Sequence, residues 1–189
     1  MTGEKKHEIV VIGGSAGSFP VILEILRKLP KEICVPVVLV IHRLKNVPSE
    51  MDAIFSVKKR IIEPEDKEKI DSCSIYLAPQ NYHLLVEEDR SFSLDYSELV
   101  HYSRPSIDVS FSSIARAYGP GAVAVLLSGA NKDGTEGMSE ILLRGGSGII
   151  QDPATAEFRV MPMSAMLQNP GAAVMAPQRL TETILKLVA

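Results

Sequence analysis

Three observations predict an α/β fold: a three-layer sandwich with a mainly parallel sheet flanked by helices and an antiparallel β-hairpin insertion. Short, almost wholly apolar runs recur along the chain, at residues 9–12, 35–41 and 122–127. Continuous β-branched runs of that length suit strands covered on both faces, as in a parallel sheet. Segments with apolar residues at helical spacing lie between them, which is the alternation of βα units. Between residues 74 and 96 the rhythm changes to three shorter runs separated by turn-type residues, the signature of a small antiparallel insertion.

The elements follow in order. Strands are expected near 8–12 and 36–41, with helices near 18–29 and 48–57 around them. The insertion holds Ile75-Tyr76-Leu77-Ala78, Leu84-Leu85-Val86 and Ser91-Phe92-Ser93-Leu94. A helix is expected from about 106 to 118, where Pro105 followed by Ser106 forms a start signal. A strand at 122–127, a helix near 134–144 and a strand near 147–151 come next. The chain closes with a helix near 155–167, a short strand at 172–175 and a helix near 177–188. No repeat or linker interrupts residues 1–189, which read as a single domain.

Composition narrows the class. With 46% hydrophobic and 23% charged residues, the 189-residue chain has the balance of a soluble globular protein with a substantial core. No apolar stretch approaches the ~20 residues of a membrane span, and the first seven residues lack the apolar core of a signal peptide. Cytoplasm is the default compartment. A net charge of −3 argues against a nucleic-acid partner. The basic run Lys58-Lys59-Arg60 is balanced at once by Glu63, Glu65, Asp66 and Glu68, as on a solvated surface. Cys34 and Cys73 are expected as small buried hydrophobes, and no paired Cys/His spacing calls for a metal.

The chemistry starts at residues 13–17, Gly-Gly-Ser-Ala-Gly, set between a strand and a helix. A G-x-S-x-G turn in that context can act as a nucleophile elbow, lifting the Ser15 hydroxyl beside the free amides of a helix start. A dinucleotide fingerprint starting at Gly13 would place glycine where Ser15 and Ser18 stand, and no Gly-Lys-Ser/Thr completes a phosphate loop. Steric need alone can also make a βα turn glycine-rich.

Ser15 requires a base and an orienting acid, and in an open α/β sheet these lie at the carboxyl ends of strands. His42 ends the second strand. Asp133 follows the strand at 122–127 in the loop Ser128-Gly129-Ala130-Asn131-Lys132-Asp133-Gly134. The order Ser, His, Asp differs from that of the common α/β-hydrolases. His7 falls at the opposite sheet edge, His101 reads as a surface residue, and His83 either lines a cleft or serves a structural hydrogen bond. Asp108, Asp133 and Asp152 all suit helix caps as well as the acid role.

Several motifs in register resemble the catalytic domain of the chemotaxis protein-glutamate methylesterases. They are Ile12-Gly13-Gly14-Ser15-Ala16-Gly17, Val40-Ile41-His42, Tyr76-Leu77-Ala78-Pro79 with His83, and Arg104-Pro105-Ser106-Ile107-Asp108-Val109. The loop from Ser128 to Met138 and the segment from Gln151-Asp152 through Met161-Pro162 complete the set, which spans nearly the whole chain. The resemblance implies a serine hydrolase that removes methyl groups from γ-glutamyl methyl esters on chemoreceptor cytoplasmic helices. Carried over by position, it implies Ser15 as nucleophile, His42 as base and Asp133 as orienting acid. It implies backbone oxyanion donors at Ala16 and Ala130. Arg104 is expected either to position the acidic surroundings of the target glutamate or to form a structural ion pair, His83 is the other candidate for substrate contact, and no metal or cofactor is called for.

The chain departs from the family pattern in three places. Ala16 replaces the usual threonine, Ala130 and Asn131 replace methionine and glycine, and Arg43 and Lys45 follow His42 where small or apolar residues are usual. Family members commonly carry an amino-terminal receiver domain, for which there is no room before the first strand here. A stand-alone esterase controlled by a separate response regulator and a catalytic piece of a longer chain both fit. A glutamine deamidase using the same triad and a catalytically silent, partner-binding relative are the alternative functions; a nucleotide-binding module is the weakest.

Overall fold

The computed structural model describes residues 7–42, 54, 56–57 and 59–189. The expected helix near 48–57 falls largely outside the described residues, as do Arg43, Lys45 and Lys58.

Seven parallel strands form the central sheet in the order β3-β4-β2-β1-β7-β8-β9. They are β1 (Ile9–Gly14), β2 (Val37–Ile41), β3 (Ile61–Ile62), β4 (Ile75–Leu77), β7 (Ala122–Leu126), β8 (Ser147–Gln151) and β9 (Ala173–Met175). Strands β5 (His83–Val86) and β6 (Phe92–Asp95) make a separate antiparallel pair. Every residue of β1, β2 and β7 is buried, as their unbroken apolar runs require.

Alternate strand residues feed two helical layers. Val10, Ile12, Leu39, Val123 and Val125 pack with α1 (Phe19–Lys28) and α5 (Pro177–Val188) through Ile22, Ile25, Leu180 and Ile184. Val11, Val38, Val40, Ala124 and Leu126 face α2 (Ile107–Tyr118), α3 (Thr135–Leu143) and α4 (Val160–Gln168). The β5–β6 hairpin covers that second layer through Leu84, Val86 and Phe92. Both faces of the central strands β1, β2 and β7 are thus dry, and the functional groups are left to the strand ends.

Three expected features differ in the structure, and β3 is an unexpected strand. Ile75–Leu77 does not belong to the antiparallel insertion; it pairs parallel with β2, Val37 opposite Ile75, because all three residues are buried in the main sheet. The two-residue β3 is too short to announce itself in a pattern. The helix expected near 155–167 begins at Val160, since the Asp152 carboxylate accepts the Ala154 amide and turns Pro153–Thr155 into a 3-10 helix first. Cys34 and Cys73 are exposed rather than buried, because both lie in loops next to strands and not in them.

The chain leaves β1 toward β2, β4 and β3 on one side and returns to β7, β8 and β9 on the other. Ligand crevices form at such a reversal, outside the carboxyl ends of the strands. The register puts Gly14 beside Ile41 and Gly13 beside Leu126. Ser15, His42 and the loop after β7 therefore leave adjacent strands at one edge.

Candidate active site

The elbow after β1 is anchored on both sides. The Ser15 amide donates to the Ser128 carbonyl at 2.9 Å, and the Ser18 amide and hydroxyl close the turn onto the Ser15 carbonyl at 3.0 and 2.6 Å. Gly17 sits at φ +75°, and a Cβ there would lie 2.7 Å from Glu157 Cβ and 2.8 Å from Ser128 Oγ. Only glycine combines that dihedral with that space. The Ser128 hydroxyl donates to the Ala16 carbonyl and accepts from the Phe158 amide, tying the elbow to the segment before α4. The Ser15 hydroxyl itself makes no hydrogen bond among the described residues.

His42 leaves β2 with its amide on the Gly14 carbonyl at 3.1 Å, which fixes it beside the elbow. Its Nε2 lies 2.7 Å from Asp133 Oδ2. Asp133 is fully buried. Its Oδ2 also accepts from the Ile107 amide, and Oδ1 accepts from the Ser106 hydroxyl and the Asp108 and Gly134 amides, at 2.8–3.0 Å. Two of these donors are the first amides of α2, so the carboxylate sits at the positive end of a helix. Burial pushes the Asp133 carboxyl up, but the bonds from His42, Asp108 and Ile107 outweigh it and hold the group below the usual carboxylate range. An ionised carboxylate only accepts, so Nε2 carries the hydrogen and Nδ1 is left as the acceptor nitrogen of the neutral ring.

Gly134, at φ +89°, makes the turn that brings Asp133 under α2; a Cβ there would meet Leu126 at 2.6 Å and Ile107 at 2.8 Å. Asp152, a rival for the acid role, is spent on its own turn. Asp108, the other rival, lies behind Asp133. Its Oδ1 accepts the Gly137 amide at 2.7 Å and its Oδ2 is 3.3 Å from His101 Nε2. Burial, with the neighbouring Asp133 charge, pushes Asp108 up to about 6 against the Gly137 bond. His101, Asp108 and Asp133 are close enough to suggest a metal group. The donor set does not fit one, because Asp133 already accepts five hydrogens and turns its lone pairs to them.

Ser15 and His42 open into one cavity of about 730 Å³, walled by the strap between β6 and α2 together with Gln80, Asn81 and Asn131. Arg104 lines it, with its ring-stacked guanidinium 3.8 Å over Tyr96 and hydrogen bonds to the Tyr96 and Ser97 carbonyls. It makes no ion pair among the described residues. His83, expected beside a substrate, is instead fully buried. Its Nε2 bonds the Glu98 carbonyl at 2.9 Å and its Nδ1 accepts the Ser106 amide at 3.1 Å, so it braces the cavity wall from behind. His101, expected at the surface, lines the cavity.

Sequence reasoning missed Ser103, whose hydroxyl lies 3.2 Å from His42 Nδ1. No motif marks it; only the fold of the strap brings it there. The backbone amides of Ala16 and Ala130 form no intramolecular hydrogen bond among the described residues, which leaves them free to bind an oxygen. Asn131 braces the loop between them and the strap, donating to the His101 carbonyl at 3.3 Å and accepting the Asp133 amide at 3.2 Å. Such a cavity, with a free hydroxyl, an imidazole held by a buried carboxylate and unpaired amides, can carry out acyl transfer.

Comparison with known proteins agrees. A Leptospira interrogans chain that bears a protein-glutamate methylesterase/protein-glutamine glutaminase name is 38% identical over 185 residues, covering 96% of this chain and 95% of that one. A Thermotoga maritima protein of the same name is 30% identical over 188 residues, of which this chain spans 54%. The crystal structure of the Thermotoga maritima CheB methylesterase catalytic domain superposes with a TM-score of 0.86 at 30% identity, covering 96% of this chain and 99% of that one. The sequence profile of CheB methylesterase matches residues 10–184, and the chain, a hydrolase by kind, belongs to the CheB methylesterase family.

Proposed function

We propose that this chain hydrolyses γ-glutamyl methyl esters on chemoreceptor-type protein helices and releases methanol, using Ser15, His42 and Asp133. The observation that carries the reading is the 2.7 Å bond between His42 and the buried Asp133, set at the wall of the cavity that Ser15 also lines. Asp133 holds the ring with its hydrogen on Nε2. Ser15 Oγ attacks the ester carbonyl while Nδ1 takes its proton, and the amides of Ala16 and Ala130 receive the oxyanion. The imidazolium then protonates the departing methoxide, and methanol leaves an acyl-enzyme on Ser15. Water, deprotonated by the same nitrogen, attacks that ester and restores the serine and a free glutamate.

The open cavity suits an ester presented on a folded surface, and Arg104 shapes the wall that such a surface would meet. The reading puts residues 1–189 to work as one catalytic domain in the cytoplasm, on methylated receptor helices and under a response regulator. The names of the relatives pair esterase with glutaminase activity, so glutamine deamidation by the same residues is the second reading. The test is labelling by a fluorophosphonate followed by peptide mapping, with methanol and ammonia release measured on one receptor preparation. The expected result is an adduct on Ser15 and loss of methanol release in Ser15→Ala by at least about 10³-fold. Full activity in Ser15→Ala would overturn the assignment.

A further inference from the structure

Ser103 occupies the nitrogen that the proposed chemistry requires. With Nε2–H committed to Asp133, the Ser103 hydroxyl donates to Nδ1 at 3.2 Å, whereas the Ser15 hydroxyl makes no bond among the described residues. The ring does not need this contact for its orientation, since Asp133 and the backbone bond to Gly14 already hold it.

The placement is built, not incidental. Ser103 pairs with Val100 across a two-residue turn whose central residues, His101 and Tyr102, sit at φ 49° and 62°. Such a turn is the usual province of Asn and Gly, and side chains adopt it at a conformational cost. Three contacts keep it in place: Asn131 on the His101 carbonyl, His101 on Asp108, and Arg104 stacked on Tyr96. Tyr96, Leu99 and Tyr102 of the same strap line the cavity and are still 67, 56 and 97% exposed. A macromolecular substrate seated over Ser15 would cover all three at once; a small ester fills only part of a cavity of about 730 Å³ and cannot span them.

On the reading that Ser15 is the nucleophile, we propose that Ser103 is a specificity-determining residue: its hydroxyl caps His42 Nδ1 at rest, and a substrate that engages the strap releases it. Turning Ser103 about its Cα–Cβ bond frees Nδ1 without moving the backbone. Small esters, which do not span the strap, then meet a base already occupied.

The experiment measures second-order labelling of the purified chain by a small alkyl fluorophosphonate in wild type, Ser103→Ala and Ser103→Thr, with the modified residue mapped. Ser103→Ala should label Ser15 about three- to tenfold faster, the effect of removing one competing hydrogen bond. Ser103→Thr, which keeps the hydroxyl, should label at the wild-type rate. Labelling of Ser103→Ala at or below the wild-type rate overturns the proposal. Ring ¹⁵N shifts of His42 in the wild type give a measurement independent of any variant. They should show hydrogen on Nε2 and a hydrogen-bonded Nδ1, and a free or protonated Nδ1 overturns the proposal. A failure of the underlying reading looks different: the adduct would map to Ser103, or labelling would persist in Ser15→Ala.

Discussion

Replacing Asp133 by asparagine tests both the electrostatics and the hydrogen-bond logic of the site. The carboxylate accepts five hydrogens, two on Oδ2 and three on Oδ1. An amide must put its NH₂ on one side or the other. The less costly choice turns the NH₂ toward Oδ2's partners, where it meets the Ile107 amide as donor against donor and forces His42 to accept at Nε2. The neutral ring then carries its hydrogen on Nδ1 and has no lone pair for the Ser15 proton. A wrong tautomer of this kind costs about 10⁴ in kcat in the serine-protease precedent, or about 5.4 kcal/mol of transition-state stabilisation. Charge-assisted bonds contribute about 1.5–3 kcal/mol each, so losing two would cost about 3–6 kcal/mol. Relief of Asp108, whose carboxyl is pushed up partly by the Asp133 charge, offsets part of this. The assay is methanol release from a methylated receptor fragment, alongside urea unfolding of both proteins. An Asp133→Asn variant that folds normally and retains activity within tenfold of wild type would refute the argument.

Three further outcomes are expected. Asp108 titrates near 6 in the fold against about 3.9 in an unfolded chain. Its ionisation therefore costs nothing below about pH 4, erodes stability as pH rises toward 6, and costs a constant amount above it. Asp108→Asn, which keeps the oxygen that meets the Gly137 amide, should gain about 1–3 kcal/mol at pH 8 and nothing at pH 3.5, as read from denaturant midpoints at both values. Gly17→Ala combines a left-handed dihedral with Cβ approaches of 2.7 and 2.8 Å; a loss of about 2–4 kcal/mol in thermal unfolding, with slower labelling of Ser15, is expected. Asn131→Ala frees the His101 carbonyl and so loosens the strap; it should raise small-reagent labelling of Ser15 in the same direction as Ser103→Ala, and an unchanged rate would show that Asn131 does not hold the strap.

Local physics explains why so much of the fold is readable before any coordinates. The buried parallel strands are continuous β-branched runs, so β1, β2 and β7 stand out, and the apolar spacing from Thr181 to Leu187 marks α5. The elbow is legible because a left-handed turn under close contact admits glycine alone at position 17. His42 is legible because it ends a strand on the edge where ligands bind. These signals depend on neighbours in the chain, which the sequence states directly.

What the sequence by itself determined, then, is the layered α/β class, most of its elements, and Ser15 and His42 as candidates on one edge. The tertiary structure decided which of three aspartates meets His42. Asp108, Asp133 and Asp152 all look like caps, and only the docking of the β7 loop under the start of α2 brings Asp133 to Nε2 while Asp152 closes its own turn. It also moved Ile75–Leu77 into the main sheet, buried His83, and folded His101 and Ser103 over the cleft. Each of these depends on contacts between segments tens of residues apart, whose free energy is set by packing and desolvation rather than by the local run of side chains.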